Sequence, residues 1–249
     1  GAYGDAGAVL TNDEELAKSI ASMADIYVND AFGAAHRAHA SVAGVTAYLP
    51  SVAGFLLKRE IEVLASLLES PERPFLTVLG GSKVSSKIPV IRNLLGKVDS
   101  LILGGGMTYT FLKAQNYEVG RSICEDGQVS FTKEMLELAK RDNVNLILPI
   151  DIIAAKEFDN DAEKKMVSIE SIPVDWMGLD IGQRSIELFK KEIASAKTIF
   201  WNGPVGVFEW DNFSNGTRSI AKAIAESQAV TVAGGGDTIT ALNKYKLYS

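Results

Sequence analysis

Five short apolar runs, each ending in turn-forming residues, constrain this chain more than any other feature. They are Phe75-Leu76-Thr77-Val78-Leu79 before Gly80-Gly81, Leu101-Ile102-Leu103 before Gly104-Gly105-Gly106, and Leu146-Ile147-Leu148 before Pro149 and Asp151. Thr198-Ile199-Phe200-Trp201 then precedes Asn202-Gly203-Pro204, and Val230-Thr231-Val232-Ala233 precedes Gly234-Gly235-Gly236. A strand covered on both faces has no polar face to alternate with, so it reads as a continuous apolar run. Amphipathic stretches separate most of the runs: Phe131, Met135 and Leu138 share a face within 131–140, as do Ile186, Phe189, Ile193 and Ala196 within 185–196. Strands alternating with helices predict an α/β fold with a parallel, doubly wound, Rossmann-like sheet and helices on both faces. Such sheets take their ligands at the carboxyl ends of the strands, which is where the glycines fall.

The last run reads as a short buried strand. The glycines after it let the backbone turn sharply and approach a ligand with no Cβ in the way. A helix is expected to start at Asp237-Thr238, and a helix N-terminus suits a phosphate. An aspartate there is either an N-cap or a carboxylate holding magnesium. Gly80-Gly81-Ser82-Lys83-Val84-Ser85-Ser86-Lys87 reads as another strand–turn–helix junction. It does not fit the G-x-x-x-x-G-K-[ST] loop, although glycine amides, a helix start and lysine charges supply similar physics. Lys83 and Lys87 are expected on one helix face; the alternative is surface lysines after a glycine turn.

Gly104-Gly105-Gly106-Met107 does not fit G-x-G-x-x-G, and no acidic residue follows at a strand end about twenty positions later. That disfavours a nicotinamide dehydrogenase and leaves the glycines as a flat floor for a purine ring. Trp201-Asn202-Gly203-Pro204-Val205-Gly206-Val207-Phe208-Glu209-Trp210 is the least generic segment, and its asparagine and glutamate suit a ribose or a phosphate.

Earlier in the chain, Asn12 and Glu15 predict a helix start, with Leu16, Ile20 and Met23 on its face and a strand at Ile26-Tyr27-Val28. Both histidines of the chain, His36 and His39, flank Arg37. This cluster suits a phosphate or carboxylate, a solvated loop, or a metal, although no complete ligand set accompanies it. A long helix is expected over 51–70, with Leu57, Ile61, Leu64 and Leu68 as its stripe and Pro71 and Pro74 beyond it.

The net charge of −6 lacks the basic surplus of a nucleic-acid binder, so no nucleic-acid partner is expected. Cys124 is the single cysteine, which excludes an intrachain disulfide and suits a reducing compartment. No apolar run is long enough to span a membrane, so a cytoplasmic location is expected. The chain has no H-E-x-x-H, no Ser-His-Asp order and no cysteine cluster. Phosphoryl transfer to an ionised carboxylate would need none of these. It requires positive charge, a metal and exclusion of water.

With these residues in place the chain resembles phosphoglycerate kinases. Val28-Asn29-Asp30-Ala31-Phe32-Gly33 leading into Ala35-His36-Arg37-Ala38-His39, Gly80-Gly81-Ser82-Lys83-Val84, Gly104-Gly105-Gly106-Met107, Trp176-Met177-Gly178-Leu179-Asp180, the 201–209 segment and Gly234-Gly235-Gly236-Asp237-Thr238 occur in that family's order. The resemblance implies reversible phosphoryl transfer between ATP and 3-phosphoglycerate, giving ADP and 1,3-bisphosphoglycerate, with magnesium and as a monomer. It implies that Lys83, with Gly236, serves the transferring phosphoryl group, that Lys87 binds the nucleotide phosphates, and that Asp237 holds magnesium with Thr238 at the phosphates. Gly81, Gly105, Gly106, Ile123, Gly178 and Leu179 would line the adenine slot. Asn202, Pro204, Val207 and Glu209 would meet the phosphates and ribose, with Ser82, Gly206 and Gly235 also at the nucleotide. His36, Arg37 and His39 would belong to the basic patch for the acid substrate.

The family pattern is longer at both ends, and residues 1–9 show no clear likeness to it. The expected organisation is therefore partial. Residues 1–50 would be the end of a substrate domain, 51–70 an interdomain helix, and 71–249 most of a nucleotide-binding domain. The alternative is a nucleotide-binding domain or folding fragment without turnover.

Overall fold

The computed structural model describes residues 13–35 and 37–247. Asn12 and His36, both singled out above, lie outside the described residues. The chain divides into two compact units, one up to Ser70 and one from Pro71 onward.

In the first unit, α1 (Glu14–Ala21) is capped by Asp13, whose carboxylate accepts from the Glu15 N–H at 2.8 Å and the Leu16 N–H at 3.2 Å. The cap is therefore one residue later than expected. The helix ends at Ala21, so Met23 lies beyond it and is 74% exposed. β1 (Tyr27–Asn29) leads into α2 (Phe32–Ala35) and pairs in parallel with β2 (Ser51–Ala53). α3 (Phe55–Glu69) follows.

The helix expected from residue 51 thus starts at Phe55. Pro50 biases its predecessor toward extended backbone, and pairing with β1 draws the next three residues into a strand. Gly54 has no side chain to cap α3. Asp30 supplies the missing acceptor, taking the Leu57 N–H at 2.9 Å. Leu57 and Leu67 are the buried positions of α3, while Ile61 of the expected stripe is 51% exposed.

In the second unit the chain runs β3 (Phe75–Leu79), α4 (Ile88–Leu95), β4 (Ser100–Leu103), α5 (Thr108–Ala114), α6 (Val129–Arg141) and β5 (Asn145–Ile147). It continues through β6 (Asp151–Ala155), β7 (Lys164–Ser168), β8 (Met177–Ile181), α7 (Gln183–Ser195), β9 (Thr198–Asn202), α8 (Asn215–Ala225), β10 (Val230–Gly234) and α9 (Gly236–Tyr245). All five apolar runs form one parallel sheet in the order β10-β9-β3-β4-β5.

Leu76, Val78 and Ile102 face a core shared with Ile186 and Phe189 of α7, Ile220 and Ile224 of α8, and Ala241 of α9. The alternate residues Phe75, Thr77, Leu79, Leu101 and Leu103 are equally buried, and α6 packs against both α4 and α5. Burial on both sides explains the continuous apolar strands. β10 departs from the expectation of a buried strand. Among the described residues it is the sheet's edge, with β9 as its neighbour, and Val230 is 59% exposed.

A second sheet, antiparallel and ordered β7-β6-β8, was not foreseen. The strand β7 opens with Lys164-Lys165 and has no buried residue, so it carries no apolar signal. Asp151 opens β6 and is buried, and its carboxylate accepts from the Arg184 and Ser185 N–H groups, capping the start of α7 from a distance. No helix among the described residues is long and apolar enough to cross a membrane.

Candidate functional site

The sheet order reverses at β3. From there the chain proceeds through β4 and β5 on one side, then returns to place β9 and β10 on the other. The connections after β3 and β9 therefore diverge, and a crevice opens outside the carboxyl ends of these two strands. Their in-register pairing brings Leu79 level with Asn202, so both glycine turns leave the sheet at one height. The Gly81 N–H donates to the Pro204 carbonyl at 3.1 Å, and the Gly105 N–H to the Val205 carbonyl at 3.0 Å, which locks the turns together. Gly81 at φ +125° and Gly105 at φ +70° hold conformations that a side chain would strain. A Cβ on Gly105 would also meet the Gly81 backbone at 2.6 Å.

These turns line a cavity of about 640 Å³, within the range of small-molecule sites. Gly81, Ser82, Gly105, Gly106, Ile123, Gly178, Leu179, Pro204, Gly206, Val207, Glu209 and Asp237 all line it, as the sequence suggested. Sequence reasoning missed Tyr109, Arg121, Phe158, Met177 and Trp210, which line it too. Phe158 lies in the loop between β6 and β7, and its ring is tilted against Trp210 with centroids 4.5 Å apart. Nothing local marks Phe158, because that loop belongs to the unforeseen sheet. Trp210 ended a segment already singled out, and two tryptophans flanking a glycine-rich loop were the available signal.

At the Asp237 edge the polar groups converge. The Lys87 ammonium donates to Asn202 Oδ1. Burial lowers the Lys87 pKa, and the negative charge of Asp237 opposes that shift. Thr238 is fully buried, and its hydroxyl accepts the Gly203 N–H at 2.7 Å. Gly235 is the N-cap of α9, and no side chain caps the helix. Asp237 sits inside the first turn, so the cap alternative is corrected. Gly234 ends β10 and Gly236 begins α9.

Lys83 is exposed in the turn before the 3-10 segment Ser85–Lys87, while the Glu125 carboxylate accepts from the Ser85 N–H and hydroxyl. Lys83 and Lys87 therefore do not share a helix face, because the helix begins only at Ile88. The buried Asp180 lies in the cavity lining. It accepts from the Gly216 N–H at 2.8 Å and the Ile181 N–H at 2.9 Å, and burial pushes its pKa up to about 8. Arg37 and His39 belong to the first unit, where Arg37 is exposed and His39 half-buried. Among the described residues no cluster of three or more His, Cys, Asp or Glu could hold a metal ion.

The fold and crevice define an open parallel α/β domain with a ligand site at its topological switch point. The family model of phosphoglycerate kinase matches residues 7–249, and the chain belongs to that family. The match takes in residues 7–9, the last three of the 1–9 stretch that looked unrelated.

The chain is 53% identical over 232 residues to the phosphoglycerate kinase of Dictyoglomus turgidum, covering 93% of this chain and 59% of the relative. It is 52% identical over 234 residues to that of Clostridium tetani, covering 94% and 58%. The structure is similar to phosphoglycerate kinase from Coxiella burnetii, with a TM-score of 0.85 and 48% identity over 95% of this chain and 62% of that one. It is also similar to the enzyme from Pyrococcus horikoshii, with a TM-score of 0.75 and 30% identity over 96% and 62%. The chain thus spans about three fifths of the length of the curated relatives it matches.

Proposed function

We propose that the cavity binds the adenine nucleotide of a phosphoglycerate kinase, which transfers a phosphoryl group reversibly between ATP and the carboxylate of 3-phosphoglycerate, giving ADP and 1,3-bisphosphoglycerate. The observation that carries this reading is the cluster of Lys87, Asn202 and Thr238 beside Asp237, which lines an apolar cavity at the switch point. An apolar slot with a polar, cationic edge matches a nucleotide, which has a flat base at one end and phosphates at the other.

In this reading the base lies among Gly81, Gly105, Gly106, Ile123, Gly178 and Leu179, against the Phe158 and Trp210 rings. Glu209 and Asn202 take the ribose and phosphate oxygens, with Pro204, Gly206 and Val207 shaping the wall. Lys87 meets the phosphates, and Ser82, Gly235, Gly236 and Thr238 surround them. Lys83, exposed beside the first glycine turn, reaches the phosphoryl group in transit. A cation engaged only there accelerates the step without tightening substrate binding. A carboxylate acceptor is already ionised, so no general base is needed.

Asp237 fits magnesium as a lone carboxylate at the phosphate edge, because this ion keeps most of its waters and shares phosphate oxygens. Bound there, magnesium would supply charge neutralisation. His36, Arg37 and His39 are assigned to the acid substrate's basic patch. We assign the chain to a cytoplasmic, monomeric glycolytic enzyme without a nucleic-acid partner, which the acidic net charge favours.

Isothermal calorimetry tests the reading. Magnesium-ADP should bind one-to-one, and NADH should not compete. A folded sample that binds no adenine nucleotide overturns it.

A further inference from the structure

Lys244 lies near the C-terminal end of α9, seven residues after Asp237, or about 10 Å along the helix. Its ammonium donates to the Phe208 carbonyl at 3.1 Å, the Glu209 carbonyl at 3.0 Å and Asp211 Oδ1 at 2.9 Å. A lysine ammonium has three N–H donors, so these acceptors use its full capacity. Two of the three are main-chain carbonyls, which fix backbone position in a way that a surface ion pair does not. All three lie in the segment that carries Val207, Glu209 and Trp210 to the cavity wall. The same segment is tied at its other end by the Val207 N–H donating to the Leu179 carbonyl at 2.8 Å. The ammonium's side chain is one third exposed, and it sits where a cation also complements the helix dipole.

We propose that Lys244 is a positioning residue for the nucleotide site: it fixes the Phe208–Asp211 backbone so that Glu209 and Trp210 face the cavity. Through α9 it also joins that wall to the Gly236–Asp237 end. The backbone claim stands on the contacts alone. The consequence for ligand rests on the nucleotide reading above. Loss of Lys244 should weaken recognition of the base and ribose and leave the phosphate end intact, since Lys87, Asn202 and Thr238 are held by other contacts.

The test compares Lys244→Met, which keeps the apolar stem, with wild type and Asp211→Asn, using magnesium-ADP and magnesium-pyrophosphate as calorimetric probes. Lys244→Met should bind magnesium-ADP about tenfold more weakly, with pyrophosphate affinity within about twofold of wild type. Asp211→Asn keeps both carbonyl contacts and should bind ADP nearly as wild type does. Equal weakening of ADP and pyrophosphate, unchanged ADP affinity, or an Asp211→Asn loss as large as that of Lys244→Met overturns the proposal.

Tryptophan emission gives a ligand-free readout. Trp176 and Trp201 are buried while Trp210 is half-buried, so Lys244→Met should shift the emission red, and the shift should vanish in a Trp210→Phe background. An unshifted spectrum contradicts the positioning role. Absence of nucleotide binding by wild type, with the shift present, contradicts only the nucleotide reading. Should Lys244→Met fail to fold by circular dichroism, Lys244→Arg replaces it. Its planar fork still meets Asp211 but cannot converge on both carbonyls, so the same split between ADP and pyrophosphate is expected.

Discussion

Asp237 occupies the first turn of α9 without capping it, since Gly235 is the N-cap and no side chain bonds there. Its replacement by asparagine should therefore leave the helix intact and act on the metal. Asp237→Asn is expected to weaken magnesium-ADP binding more than metal-free ADP binding, measured by paired titrations with and without a chelator. Equal losses in both forms would show that the carboxylate does not serve a metal.

Asp180 makes a different prediction at the same scale. Burial raises its pKa to about 8, against the Gly216 and Ile181 N–H groups and the Lys164 charge, which lower it. An acid whose pKa is higher folded than unfolded holds its proton more tightly in the fold. Its contribution to stability is complete below the unfolded pKa of about 3.9 and is lost as the pH rises to about 8. Asn at this position cannot titrate. Wild type should lose stability relative to Asp180→Asn across that window, with a ceiling of about 6 kcal/mol, read from urea unfolding at several pH values. A pH-independent difference would mean that Asp180 is ionised in the fold. Lys83 carries the catalytic expectation. In the full-length enzyme, Lys83→Ala should cut turnover by roughly a hundredfold or more while Michaelis constants move much less. Near-normal turnover in steady-state kinetics would return it to a surface lysine beside a glycine turn.

At the scale of elements, the cavity floor depends on how closely β8 approaches α5. A Cβ on Gly178 would run into the Tyr109 hydroxyl and meet Ile152 Cδ1 at 2.8 Å. Tyr109 is itself buried, and burial drives its pKa far above the ordinary phenol value. Gly178→Ala should therefore destabilise the domain by about 1–3 kcal/mol, as overpacking does, measured by urea unfolding; a neutral substitution would mean the floor is loosely packed. The five-stranded sheet was legible because its central strands β3, β4 and β9 are largely buried and every run ends in glycine, proline or asparagine. The antiparallel sheet was not, because Lys164-Lys165 hides β7 and its pairing with β6 is set by tertiary contact. The start of α3 was misplaced for the same reason: Ser51–Ala53 form a strand only because β1 is there to pair with. Lys83 and Lys87 looked like helical neighbours because their spacing fits a helix, yet the chain uses a turn and a 3-10 segment before α4 begins. The glycines of the site were readable one by one. Phe158 and Arg121 were not, since they reach the cavity from loops with no motif of their own.

For the whole molecule, one cavity at the switch point of the parallel sheet is the proposed adenine-nucleotide site. Its polar edge gathers Lys87 of the first glycine turn, Asn202 of the second, and Asp237 and Thr238 of the last, although 150 residues separate Lys87 from Asp237. The most direct measurement is backbone-amide NMR of the chain titrated with magnesium-ADP. If the cavity is the nucleotide site, saturable shifts should centre on Gly81, Gly105, Gly106, Gly178, Gly206 and Thr238. Saturable binding whose shifts cluster elsewhere, leaving these amides unmoved, would contradict it.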